Sequence, residues 1–179
     1  MDFKKPERIF VALPVSLEIE ENFLKFQKKF KNLNVRWVML QNLHITLIPP
    51  WYESNAEEII EKLESLRGKF SNFKISFNLI EYGPNKFSPR LIWAKGKATK
   101  ELLNLVDEIS KVLNKKKEKR PFMLHLTLAR FDKFKKYNNL PKLDIPIFWE
   151  FLAQSFVLMR SYLLKTGAQY EIIKEIKFK

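Results

Sequence analysis

The sequence contains no cysteine, two histidines and four glycines in 179 residues. Without cysteine there are no disulfides, no Cys-ligated zinc, no iron–sulfur cluster and no thiol nucleophile. The glycines, Gly68, Gly83, Gly96 and Gly167, stand too far apart for a dinucleotide fingerprint. Gly68-Lys69 and Gly96-Lys97 are not Walker A loops either, because Leu63 and Leu91 occupy the place of the earlier glycine. Long apolar runs are missing too: nothing approaches the ~18 residues of a membrane helix. The start, Met1-Asp2-Phe3-Lys4-Lys5-Pro6-Glu7, carries charges and a proline, unlike a secretory signal. A cytoplasmic protein with no membrane partner is the expectation.

What is present is an ordinary globular composition, 46% apolar and 30% charged. Lys and Arg number 33 against 20 Asp and Glu, a net charge of +13 that favours polyanionic partners such as nucleic acid. The length suits one domain or two small packed lobes. No Ser/Gly linker divides the chain, so residues 1–179 are read as a single bilobal unit, expected to be a monomer.

Hydrophobic periodicity orders the elements. Residues 8–14 form a short apolar run ending at a proline, a buried strand. Ile19, Phe23, Phe26 and Phe30 recur at helical spacing, so residues 17–32 read as a helix capped by Ser16. Strands are expected at 35–40 and 43–48, joined by a Gln41-Asn42 turn. Ser54-x-x-Glu57 reads as a capping box for a helix striped by Ile59, Ile60, Leu63 and Leu66 that fails near Gly68. The second half repeats this rhythm: strands at 73–82 and 91–95, a helix at 99–117, and a strand at 124–131. An irregular stretch rich in Pro, Lys and Asn follows, then strands at 156–164 and 170–178. Strands outnumber helices and helices interrupt them in pairs, which gives α+β with largely antiparallel sheets.

Both histidines sit in one local pattern, Leu43-His44-Ile45-Thr46-Leu47 and Leu124-His125-Leu126-Thr127-Leu128. Alternation of this kind marks a half-buried strand, with His and Thr on one face and apolar neighbours on the other. Brought together, two such strands offer two imidazoles and two hydroxyls to one surface. That set suits phosphodiester cleavage, which needs a base for the attacking oxygen and an acid for the departing one. Threonine hydroxyls can hold the non-bridging oxygens where charge gathers. A single histidine on a strand face is more often structural, but the duplicated frame shifts the balance toward chemistry. A metal site is the poorer reading, because His-x-Thr-Leu lacks ligand spacing and no third ligand stands near.

On these motifs the chain resembles the 2H phosphoesterase superfamily, and within it the RNA 2′,3′-cyclic phosphodiesterases, also called 2′-5′ RNA ligases. The resemblance spans nearly the whole chain, from Arg8-Ile9-Phe10-Val11-Ala12-Leu13 and Arg36-Trp37-Val38 through Pro89-Arg90-Leu91-Ile92-Trp93 to Ala129-Arg130, Ser161-Tyr162-Leu163, Gly167 and Tyr170. It departs where Ile48-Pro49-Pro50-Trp51 follows the first motif in place of Phe-Leu-Gly, and where Leu124 stands in place of a proline. The resemblance implies a bilobal, pseudo-two-fold fold with one motif per lobe around a central cleft. It also implies hydrolysis of an RNA-terminal 2′,3′-cyclic phosphate to a 2′-phosphomonoester, together with a reversible 2′-5′ RNA ligase activity. No metal or other cofactor is expected. His125 is read as the base and His44 as the acid, with Thr46 and Thr127 on the phosphate; pseudo-symmetry allows the reverse assignment. Excess positive charge is expected to pull both histidine pKa values below ~6.5.

Four further residues are candidates for substrate binding. Arg130 follows His125 by five positions, so alternation puts it on the opposite face unless the strand bulges or ends there. The resemblance favours a place near phosphate, and a surface ion pair is the duller alternative. Arg90 could meet RNA phosphate or simply be solvated, and Tyr170 could stack on a base or pack the last strand. Trp51, directly after the first motif, is the tryptophan best placed for the cleft rim. The basic run at 115–120 reads as a solvated helix end that could also steer RNA. Two other functions compete: a non-catalytic basic RNA-binding module, and a phosphodiesterase for small cyclic nucleotides or 2′-5′ oligonucleotides.

Overall fold

A computed structural model describes residues 5–116, 120–132, 137, 140–165 and 167–179. Nine strands and three helices are described, with a single 3₁₀ turn. The first sheet holds β1 (Glu7–Pro14), β3 (His44–Glu53), β8 (Ser155–Leu164) and β9 (Gly167–Lys177), in the order β3-β1-β8-β9. The second holds β2 (Arg36–Trp37), β4 (Phe73–Gly83), β5 (Leu91–Lys95), β6 (His125–Arg130) and β7 (Asp144–Ala153), in the order β2-β6-β5-β4-β7. All pairings are antiparallel, as the α+β reading requires. The two histidine strands therefore belong to different sheets, where β3 packs against β6 without sharing a backbone ladder.

The helices follow from their caps and stripes. In α1 (Leu17–Lys29), Ser16 caps the first turn by accepting from the Ile19 N–H, and Ile19, Phe23 and Phe26 are buried. In α3 (Lys100–Val112), Thr99 does the same for Leu102, while Leu102, Leu105 and Ile109 enter the core. The expected capping box of α2 (Ala56–Glu64) is displaced by one residue. Asn55, not Ser54, accepts from the Glu58 N–H, and its amide donates to the Glu58 carboxylate. Helix α3 packs on β3, and α1 on β7 of the other sheet. One core runs between, from Ile9 and Phe23 through Phe77 and Leu126 to Phe156.

Several expectations are corrected. The strand expected at 35–40 shrinks to Arg36–Trp37, and the turn after it is a 3₁₀ turn, Leu40–Asn42. Helix α3 stops at Val112, since Asn114 adopts φ +51 and ends it; residue 117 lies outside the described residues. The irregular stretch hides β7, an edge strand whose Pro146 sits beside a register slip, where a missing N–H breaks no ladder. Strand β3 likewise continues past residue 48, because Pro49 and Pro50 fall in a slip between Val11↔Ile48 and Ile9↔Trp51.

Candidate active site

Each motif contains the same irregularity. In β3, Ala12 pairs with Thr46 and Val11 with Ile48, so Leu47 is an extra residue. In β6, Trp93 pairs with Thr127 and Ile92 with Ala129, so Leu128 is extra. Both are β-bulges at the leucine directly after the threonine, and both leucines are buried. The bulge restarts the alternation. Arg130 thereby returns to the face of His125 and Thr127, the exception that sequence alternation left open for it.

The imidazoles are held alike. His44 Nδ1 lies 2.7 Å from the Asn42 carbonyl and His125 Nδ1 lies 3.0 Å from the Met123 carbonyl, in each case two residues back. A carbonyl only accepts, so both Nδ1 atoms carry the proton and both Nε2 atoms are left for chemistry. His44 Nε2 is 3.1 Å from Thr46 Oγ1, which donates to it in the neutral form. Aromatic rings back both sites: Phe10 and Tyr170 lie 5.0 Å and 5.1 Å from the His44 ring, and Trp93 lies 5.1 Å from that of His125. Gly83 makes room for Trp93, since a Cβ there would stand 2.2 Å from the indole Cε2.

Asn42 is the residue that sequence reading missed, having been taken only as part of a turn. Its buried amide donates to the Ala168 carbonyl at 2.9 Å and accepts from the Tyr170 N–H at 3.2 Å. The first sheet thus curls until its outer strand β9 meets the turn before β3. The only available signal was a polar residue two positions before a histidine, and it named no partner.

Between the sheets lies a cavity of about 200 Å³ lined by His44, Thr127, Arg130 and Tyr170, together with Arg36, Trp37 and Asn42. Of the eight predicted residues, these first four line it, His44 and Tyr170 from the first sheet and Thr127 and Arg130 from the second. Thr46 and His125 are not among the lining residues: Thr46 contacts His44, and His125 shares the β6 face with Thr127. Trp51 is not brought to the cavity; it packs on the core with the Lys115 ammonium 4.0 Å from its ring centroid, and its indole N–H meets Glu53. Arg90, exposed just before β5, is not among the lining residues either. Of the basic run, residues 117–119 lie outside the described residues.

Burial lowers the pKa of His44 to about 4, opposed by the Asn42 carbonyl and assisted by the charges of Arg130 and His125. Burial also lowers that of His125, with the Met123 carbonyl opposing and Arg130 adding a smaller push. The direction matches the sequence expectation, but desolvation rather than net charge is the main cause. Among the described residues, no group of three His, Asp or Glu side chains gathers to hold a metal ion. No described helix is long and apolar enough to cross a membrane.

Comparison with known proteins identifies the family and the fold. The chain is 31% identical over 174 residues to the RNA 2′,3′-cyclic phosphodiesterase of Methanocaldococcus jannaschii, covering 94% of this chain and 99% of that one. It is 29% identical over 180 residues to the protein of the same name from Archaeoglobus fulgidus, covering 93% and 98%. The fold matches E. coli LigT in its apo form with a TM-score of 0.71 at 25% identity, covering 98% and 99%. A Thermus thermophilus protein shares the fold with a TM-score of 0.78 at 22% identity, covering 95% and 97%. The family model of the 2′-5′ RNA ligase superfamily matches residues 20–162. With both histidine motifs inside that span, the chain belongs to the 2′-5′ RNA ligase superfamily.

Proposed function

We propose that this protein hydrolyses the 2′,3′-cyclic phosphate at RNA ends to a 2′-phosphomonoester, using its two histidines for both proton transfers. The observation carrying the proposal is the repeated unit of a Nδ1-anchored imidazole, a threonine hydroxyl and a bulged leucine on the packed strands β3 and β6. His125 Nε2 takes a proton from water as its oxygen attacks phosphorus. The P–O3′ bond breaks, and the proton on His44 Nε2 passes to O3′. Thr46 and Thr127 donate to the non-bridging oxygens as charge develops. Solvent then returns the proton to His44 and removes the one on His125. Burial depresses the pKa of His44, so a proton placed there is readily given up.

Residues 1–179 work as one bilobal unit, because each sheet supplies only half of the acid–base pair. The surplus of 33 cationic over 20 anionic side chains suits an RNA substrate met in the cytoplasm. Turnover of an oligonucleotide ending in 2′,3′-cyclic phosphate, with EDTA present, tests the reading. A 2′-phosphate product is expected, and His44→Ala and His125→Ala each remove most of kcat. A cyclic substrate with sulfur at the 3′ leaving position needs little acid assistance, so it rescues His44→Ala but not His125→Ala. Rescue of the opposite variant would reverse the two roles, and mutants with wild-type turnover would refute the mechanism. RNA binding without turnover would favour the non-catalytic module.

A further inference from the structure

Arg36 and Arg130 are direct partners across the β2–β6 ladder, so their side chains leave the sheet on the same face. Like charges directly opposite on a sheet are destabilising. No ion pair with a carboxylate is seen for either guanidinium among the described residues, and both line the cavity that holds His44 and Thr127. Arg36 is exposed at the rim. Its guanidinium lies beside the first residue of β9: a Cβ built on Gly167 would stand 3.4 Å from Nη1, and Gly167 itself has φ +132. The strand end that would crowd Arg36 is therefore a glycine in a backbone conformation that other residues avoid. A cationic pair with no carboxylate partner among the described residues, at the mouth of this cavity, is an arrangement that a bound anion would stabilise.

We infer that Arg36 binds the internucleotide phosphate immediately 5′ of the terminal nucleotide, and thereby makes the site prefer polynucleotide ends over cyclic mononucleotides. This deepens the proposed function and rests on it for the identity of the reacting end. Arg130 stands on the strand of His125 and Thr127 and faces the reacting phosphate. Arg36 reaches the same cavity from the neighbouring strand, beyond Arg130 as seen from β5. A nucleoside cyclic phosphate has one phosphate and would leave Arg36 without an anion. An RNA end supplies a second.

The test compares wild type and Arg36→Ala in binding two probes, a single-stranded oligonucleotide ending in a 2′-phosphate and a nucleoside 2′-monophosphate. Arg36→Ala is expected to weaken oligonucleotide binding about ten-fold or more, with a much smaller effect on the mononucleotide. The salt slope for the oligonucleotide should become shallower by about 0.7. Equal weakening of both probes would overturn the inference by placing Arg36 on the terminal phosphate. No weakening of either would overturn it by showing that the arginine pair holds no anion. Absence of turnover by the wild type would refute the hydrolytic reading separately, while the binding ratio still decides the role of Arg36.

Discussion

The low pKa of His44 has a kinetic consequence that can be given a size. With a value of about 4, His44 is protonated in roughly one free molecule in a thousand at pH 7. A cyclic phosphate brings one negative charge. At ~4 Å and an effective dielectric of ~20, its attraction to an imidazolium is about 4 kcal/mol, equivalent to about three pH units. Protonated His44 is the form the anion stabilises, so its proton persists to higher pH in the complex than in the free protein. The profile of kcat/KM, which reports free groups, should therefore have both limbs below about 6.5, where burial places both histidines. The profile of kcat, which reports the complex, should have its His44 limb about three pH units higher, near neutrality. The assay is initial-rate kinetics on a cyclic-phosphate oligonucleotide from about pH 4 to pH 9 at fixed ionic strength. Superimposed profiles, or a kcat/KM maximum above about 6.5, would refute the argument that burial depresses these groups and that bound phosphate restores them.

Stability should respond to the same group. His44 is depressed from 6.5 to about 4, so folding loses about 3 kcal/mol as pH falls through that interval, and His44→Asn should flatten the decline in a pH series of denaturant midpoints. Asn42→Ala strands the Ala168 carbonyl and the Tyr170 N–H, and is expected to cost about 1–3 kcal/mol in urea unfolding and to lower kcat by loosening His44. Unchanged stability would show that the turn does not depend on this amide. Gly83→Ala drives a Cβ into the Trp93 indole behind His125; about 1–3 kcal/mol of destabilisation and a changed tryptophan emission are expected, and neither change would mean that the ring has room to move.

The histidine motifs were legible because alternation is a local property of the chain, and the Ser16 cap was legible because a cap acts only a few residues away. Arg130 was only half legible. The strand that carries it is plain in sequence, but its face depends on a bulge set by pairing with β5. Strand β7 went unread because it follows a stretch rich in Pro, Lys and Asn and carries Pro146 itself, which only its place at a sheet edge makes harmless. Trp51 was placed at the rim by its nearness to His44 in sequence. The register slip at Pro49 and Pro50 turns it instead toward the core and Lys115. Asn42 was out of reach for another reason: its partners lie 126 and 128 residues away.

The seam between β3 and β6 also determines how the molecule can move. Within each sheet, displacing one strand past its neighbour would break a row of backbone hydrogen bonds. Between β3 and β6 there is no such row to break, only interlocking side chains. Sliding a strand within a plate therefore costs backbone hydrogen bonds, whereas tilting one plate against the other at this seam costs side-chain contacts. That tilt changes the separation of His44 and His125 while leaving each imidazole anchored to its own carbonyl. The direction of each imidazole therefore rests on its own Nδ1 bond, and the spacing between them on how the plates pack. Aim and gap are separate mechanical variables here, the first set within a plate and the second between plates.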